Sequence, residues 1–147
     1  MASEYKPNFG LISLTASKTL DDFFAGTTIA LNAAAGLTVT LPAATGTGAI
    51  YEFIVGTTVT SNDYIIQAAS ASDSFFGNAI LLADGGNTVV AFEAAATDDT
   101  ITLDGSTTGG IAGGRVRVTD IASGKFHVEV VGAATGTEAT PFSAAVS

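Results

Sequence analysis

Strict alternation of apolar and polar residues over short runs is the feature that most constrains this chain. In "LTVTL" (37–41), Leu37, Val39 and Leu41 fall on one face and Thr38 and Thr40 on the other. In "IYEFIV" (50–55), Tyr51, Phe53 and Val55 oppose Ile50, Glu52 and Ile54. "RVRVTD" (115–120) sets Val116 and Val118 against Arg115, Arg117 and Thr119, and "KFHVEV" (125–130) sets Phe126, Val128 and Val130 against Lys125, His127 and Glu129. Successive side chains of a strand point to opposite faces, so such runs read as half-buried β-strands. Shorter candidates are 11–15, 28–31, 64–68, 79–82, 88–93 and 100–103, separated by Gly, Asn, Asp, Pro or Ser punctuation. Many short strands with turn signals between them predict a single all-β domain, an antiparallel β-sandwich or jelly-roll. "DIASGK" (120–125) reads as a hairpin turn with glycine at the tight position, and "SASDSFFGNAILLA" (70–83) as room for one helical turn.

The expected organisation is an N-terminal arm over 1–10, the β domain over 11–132 and a C-terminal arm over 133–147. The arms are either frayed ends or extensions that order against a neighbouring subunit. The start, "MASEYKPNFG", lacks the basic and apolar regions of a secretory signal, and no apolar run approaches the ~18 residues of a membrane span. The expectation is a soluble chain made in a cytoplasm.

Charge removes several function classes. Five Lys and Arg stand against fourteen Asp and Glu, a formal charge of -9, so no basic surface for phosphate neutralisation can be assembled. Neither nucleic acid nor an anionic membrane is an expected partner. There is no cysteine, hence no disulfide, thiolate metal site or thiol nucleophile. His127 is the single histidine and shares a strand face with Lys125 and Glu129; Glu129 could orient it, but no nucleophile lies beside it in sequence. The chain has no tryptophan and three tyrosines, few stacking platforms for a sugar-cleaving carboxylate pair.

"TDDTITLDGSTTGG" (97–110) places Asp98, Asp99 and Asp104 around a strand and a glycine-rich turn. That leaves calcium open there, although turn chemistry accounts better for Asp104-Gly105. "GTG" (46–48) and "GGIAGG" (109–114) lack the helix or lysine of a phosphate cradle and read as loops. The expectation is a non-enzymatic chain with no catalytic residue, metal or cofactor.

What remains are interface candidates. Arg115 and Arg117, the only arginines, share one strand face, where they either pair with cross-strand carboxylates or meet acidic groups of another copy. Phe23-Phe24 and Phe75-Phe76 each put one ring on either side of a strand, so each pair is an anchor for a neighbour or is buried between two layers. Phe142 is the one aromatic of the C-terminal arm.

"ISLTASKTL" (12–20) followed by "GTTIALNAAAGLTVTLPAATGTGAIYEFIVGTT" (26–58) resembles tailed-phage virion proteins that decorate or cement the capsid. Members open with a similar LTAxxTL strand, continue with LNAAxGxTVTLPAA, and follow with a Y-x-F-x-V strand. "GGRVRVTDIASGKFHVEVVGAA" (113–134) is similar to their closing hairpin, with Phe126 where tryptophan is commoner and Ser123-Gly124 in place of the usual turn. The resemblance covers most of 11–134. It implies an all-β protomer, a homotrimer that binds the major capsid protein across capsomer boundaries on the outer surface of the virion. Its motifs are structural and carry over no active site. Similar TVTLPAA stretches occur in phage head and tail fibres, so a receptor- or glycan-binding β module is the alternative implied.

Overall fold

The computed structural model describes residues 10–147. The N-terminal arm therefore lies outside the described residues except for Gly10. The chain forms β1 (Leu11–Leu14), β2 (Lys18–Thr19), β3 (Thr28–Leu31), β4 (Leu37–Thr40), β5 (Ile50–Val55), β6 (Tyr64–Gln67), β7 (Ser74–Ala83), β8 (Thr88–Glu93), β9 (Thr100–Leu103), β10 (Arg115–Ala122), β11 (Lys125–Ala134) and β12 (Phe142–Ser143). They build a seven-stranded sheet in the order β1-β3-β5-β10-β11-β7-β8 and a five-stranded sheet in the order β12-β9-β6-β4-β2.

Every alternating segment read from the sequence is a strand, and the two sheets pack as a sandwich. The strand directions differ from the antiparallel expectation, since five of the ten pairings are parallel. The chain begins as a coil: β1, β3 and β5 stack parallel in the large sheet, while β2, β4 and β6 stack parallel in the small one. Within this coil each crossover between parallel neighbours is a strand of the opposite sheet. Alternation reports which face is buried, not which way the strand runs, so this winding is invisible to periodicity. The stretch 70–83 also departs from expectation: the helical turn is absent, and Ser74–Ala83 is one long strand. Among the described residues the single 3-10 turn is Asp22–Phe24, where the Asp21 carboxylate accepts from the Phe23 amide at 3.0 Å.

The core is made of side-chain rows running across the strands. In the large sheet Ile29, Phe53, Val116, Val130 and Ala79 are successive partners on five adjacent strands, and all are buried. Val39, Ile66, Ile101 and Phe142 form the facing row of the small sheet. Tyr64 is fully buried and fastens the loops at one end: its hydroxyl accepts from the Ala33 amide at 3.0 Å and donates to the Thr57 carbonyl at 2.7 Å. The hairpin between β10 and β11 turns on Gly124, at φ 74°, with a register shift between Asp120 and Ala122. Gly77 sits at the row position opposite Val128, at φ 143°, and a Cβ there would lie 1.8 Å from the Val128 carbonyl oxygen.

Two substitutions test this packing by urea unfolding. Phe53→Ala is expected to cost about 3–5 kcal/mol, as for other fully buried phenylalanines. Gly77→Ala is expected to cost more than ~1 kcal/mol, because the added methyl meets backbone that cannot move without breaking the β7–β11 ladder.

Candidate interaction face

The outer surface of the seven-stranded sheet carries the residues that alternation turns away from the core. One outward row reads Leu11, Thr28, Glu52, Arg117, Glu129, Asn78 and Glu93 across all seven strands. Its neighbour reads Ser13, Ala30, Ile54, Arg115, Val131, Ile80 and Ala91. Arg117 Nε donates to Glu52 Oε2 at 2.9 Å, and Arg115 Nε lies 3.8 Å from Glu52 Oε1. Both arginines thus take the first option open to them in the sequence, a cross-strand carboxylate of the same chain. A depression of about 340 Å³ lies beside this pair, between Thr28, Ile50 and Ile54.

This face differs in charge from the rest of the molecule. It holds Arg115, Arg117 and Lys125, three of the five Lys and Arg residues, against Glu52, Glu93 and Glu129, three of the fourteen Asp and Glu. The face is formally neutral, and the full -9 falls elsewhere on the chain.

It is also apolar toward one edge. Phe76, Ile80, Leu82 and Val89 on β7 and β8 are 39%, 41%, 37% and 59% exposed, and among the described residues β8 is the terminal strand there, paired on one side only. Phe76 packs edge-on to His127 at 5.3 Å between ring centroids, so the histidine lies on the outer surface beside an aromatic ring. Ile80, Leu82 and Val89 were not singled out from the sequence. The signal was present in "AILLA", a run apolar in both phases, which marks a strand with something to cover on each face.

The other aromatic candidates separate. Phe75 is fully buried and stacks edge-on with Phe126 at 6.0 Å between centroids; Phe142 is 5% exposed in the small-sheet core. Both belong to the interior of the chain's own fold. Phe23 is 76% exposed on the 3-10 turn, with Phe24 half-buried beneath it and the Lys18 ammonium 5.7 Å from the Phe24 ring. The C-terminal segment packs on its own chain: β11 continues to Ala134 and β12 pairs with β9. Phe142 has an apolar row to complete, and that burial holds the segment down.

The carboxylates near the two loops turn inward onto the chain. Asp99 Oδ1 accepts from the Thr100 hydroxyl and from the Ala145 and Val146 amides, which fixes the C-terminus. Asp104 accepts from the Ser106 and Thr108 amides and the Thr107 hydroxyl, closing its own turn. Asp98 accepts from the Ala95 amide. Among the described residues no group of three or more His, Asp or Glu is arranged to hold a metal ion. The "GTG" loop is an anion cradle after all, but the anion is internal. Asp120 accepts from the Thr45, Gly46 and Thr47 amides at 3.1, 2.7 and 3.3 Å and from the Thr47 hydroxyl at 2.9 Å.

Comparison with protein-family models, with curated proteins and with solved structures gives no match.

Burial alone would raise the carboxyl pKa of Asp99, Asp104 and Asp120, but the hydrogen bonds just described outweigh it and hold all three below the ordinary carboxylate value. Groups with a depressed folded pKa contribute stability that is fully present above the unfolded value of about 3.9 and is lost as pH falls through the folded values. The unfolding free energy is therefore expected to be flat near neutrality and to decline below about pH 4. Asp120→Asn should blunt that decline and cost about 1–3 kcal/mol at pH 7, since its amide nitrogen cannot accept from the loop. Denaturant unfolding across pH 2–7 (roughly the range set by these groups) checks both.

Proposed function

We propose that this chain is a non-enzymatic structural protein of a phage virion, which decorates and cements the capsid shell as an oligomer, a homotrimer, bound to the major capsid protein across capsomer boundaries. The observation that carries this reading is the neutral, partly apolar outer face with its open β8 edge on an otherwise acidic body. Acidic surfaces of separate copies repel, so association is steered toward the one face where the charges cancel. An unpaired edge strand beside exposed Val89 and Leu82 is a surface that proteins ordinarily cover. The resemblance of residues 12–58 and 113–134 to decoration proteins names the shell as what is covered, and the Arg115–Glu52–Arg117 group gives polar register at the centre of the face. Such a contact needs about 1,600 Å² of buried surface to be specific, and repetition over a lattice adds avidity without strong single contacts.

Light scattering coupled to size exclusion is expected to give a mass near three 14.6 kDa protomers, and the protein is expected to co-sediment with stripped, expanded capsids of its own phage. Leu82→Glu combined with Val89→Glu changes only exposed side chains and should weaken oligomerisation or capsid retention by about tenfold or more, the effect of placing unpaired charge in a contact. Absence of capsid retention sinks the reading, and binding to glycans or host cells in its place would turn it into a receptor-binding module.

A further inference from the structure

The sequence holds two Asp-Gly dipeptides, Asp84-Gly85 and Asp104-Gly105, and no Asn-Gly. An aspartyl carboxyl followed by glycine is open to a covalent rearrangement that needs only water. The glycine nitrogen can reach the side-chain carboxyl carbon because no Cβ stands in the way and the backbone there turns easily. The fold treats the two dipeptides in opposite ways.

Asp104-Gly105 is locked. Asp104 accepts from the Ser106 amide at 2.8 Å, the Thr108 amide at 3.0 Å and the Thr107 hydroxyl at 2.6 Å, and its own amide donates to the Thr108 hydroxyl at 2.9 Å. The nitrogen that would attack, that of Gly105, donates to the Gly109 carbonyl at 2.7 Å. A Cβ on Gly105 would lie 1.9 Å from the Val59 carbonyl oxygen, so packed backbone denies this turn the rotation that attack requires.

Asp84-Gly85 has none of these restraints. It stands at the tip of the β7–β8 hairpin, beyond the closing pair Ala83 and Thr88, in the exposed run 84–87. The Gly85 amide meets no acceptor among the described residues. A Cβ on Gly85 or Gly86 would meet nothing within 4 Å. Asp84 sits at φ 39°, a left-handed conformation uncommon outside glycine. Among the described residues its carboxylate has one contact, an exposed one, accepting from the Gly136 amide at 3.1 Å. A turn with so few ties opens locally at small cost.

We infer that Asp84 is a modification site, where the folded protein isomerises spontaneously to isoaspartate while Asp104 is protected. The Gly85 nitrogen gives up its proton and bonds to Asp84 Cγ; the carboxyl oxygen leaves as water, closing a five-membered succinimide. Water then adds back. Attack at the Asp84 main-chain carbonyl carbon breaks the original peptide bond and leaves the chain running through Cγ, whereas attack at Cγ restores aspartate. Mass is unchanged, and no oxidant or reductant takes part. The product lengthens the turn by one backbone carbon and replaces the carboxylate that holds Gly136 with an amide carbonyl. Because the exposed Leu82 and Val89 flank this turn, ageing alters a corner of the outer face. The inference goes beyond the structural role proposed above and holds without it.

The test incubates the whole folded protein at neutral pH beside a sample kept unfolded in guanidinium chloride, until the unfolded sample has converted at both dipeptides. Each is then denatured and digested with an endoprotease that cuts before aspartate but not before isoaspartate. In the folded sample, cleavage ahead of Asp84 is expected to be lost about tenfold faster or more than cleavage ahead of Asp104, at unchanged mass, a barrier difference of about 1.4 kcal/mol. Asp84→Asn should form isoaspartate at this position faster, through the same succinimide with ammonia as the leaving group. Asp84→Ser, on the exposed tip, should remove most of the isoaspartate that a carboxyl methyltransferase can label in the aged folded protein. Equal loss at the two sites in the folded protein, or full retention of cleavage ahead of Asp84, would overturn the proposal. So would undiminished methyl labelling of aged Asp84→Ser.

Discussion

Most strands of this protein have one face that must leave water, and neither sheet can bury its own. The facing rows, Ile29 to Ala79 on one side and Val39 to Phe142 on the other, are the constraint from which the rest follows. A chain that shuttles between sheets, strand by strand, brings both apolar faces together from its first turn of coil. By β6 the sandwich already has three strands on each side. The later hairpin of β10 and β11 then closes the large sheet, entering between β5 and β7 and adding Val116, Val118, Val128 and Val130 to the same core.

Loops at the sandwich ends lack a ladder to satisfy their amides, and inward carboxylates take that role. Asp120 reaches the 45–47 loop, Asp73 the Ala44 amide at 3.1 Å, Asp99 the C-terminal residues, and Asp104 its own turn. Several residues that counted as acidity in the composition are therefore structural acceptors. Their placement separates the charges that hold loops from the charges that face other molecules, and it leaves the outer sheet neutral.

Two surface features stand apart on this scaffold. One is the broad, formally neutral outer face of the seven-stranded sheet, the other the small acidic cavity beside the 3-10 turn. They are built from different parts of the chain, β5, β7, β8, β10 and β11 for one and the turn after β2 with the loop after β4 for the other.

Much of the fold was legible in the sequence because alternation is a direct consequence of a sheet with one buried side. Leu37–Thr40, Ile50–Val55, Arg115–Ala122 and Lys125–Ala134 all stand where that pattern put them, as does the hairpin at Gly124. Strands of two residues, β2 and β12, are too short to show a period, and strand direction leaves no trace in a pattern that reads the same both ways. The pairing of Arg115 and Arg117 with Glu52, separated by more than sixty residues in the chain (|i−j| of 65 for Arg117), was open in the sequence and decided by register alone. Phe75 and Phe76 show the same division: adjacency assigned them to opposite faces, but only the tertiary structure chose which went inside. Sequence determines the alternation; long-range packing decides which side is covered, and by what.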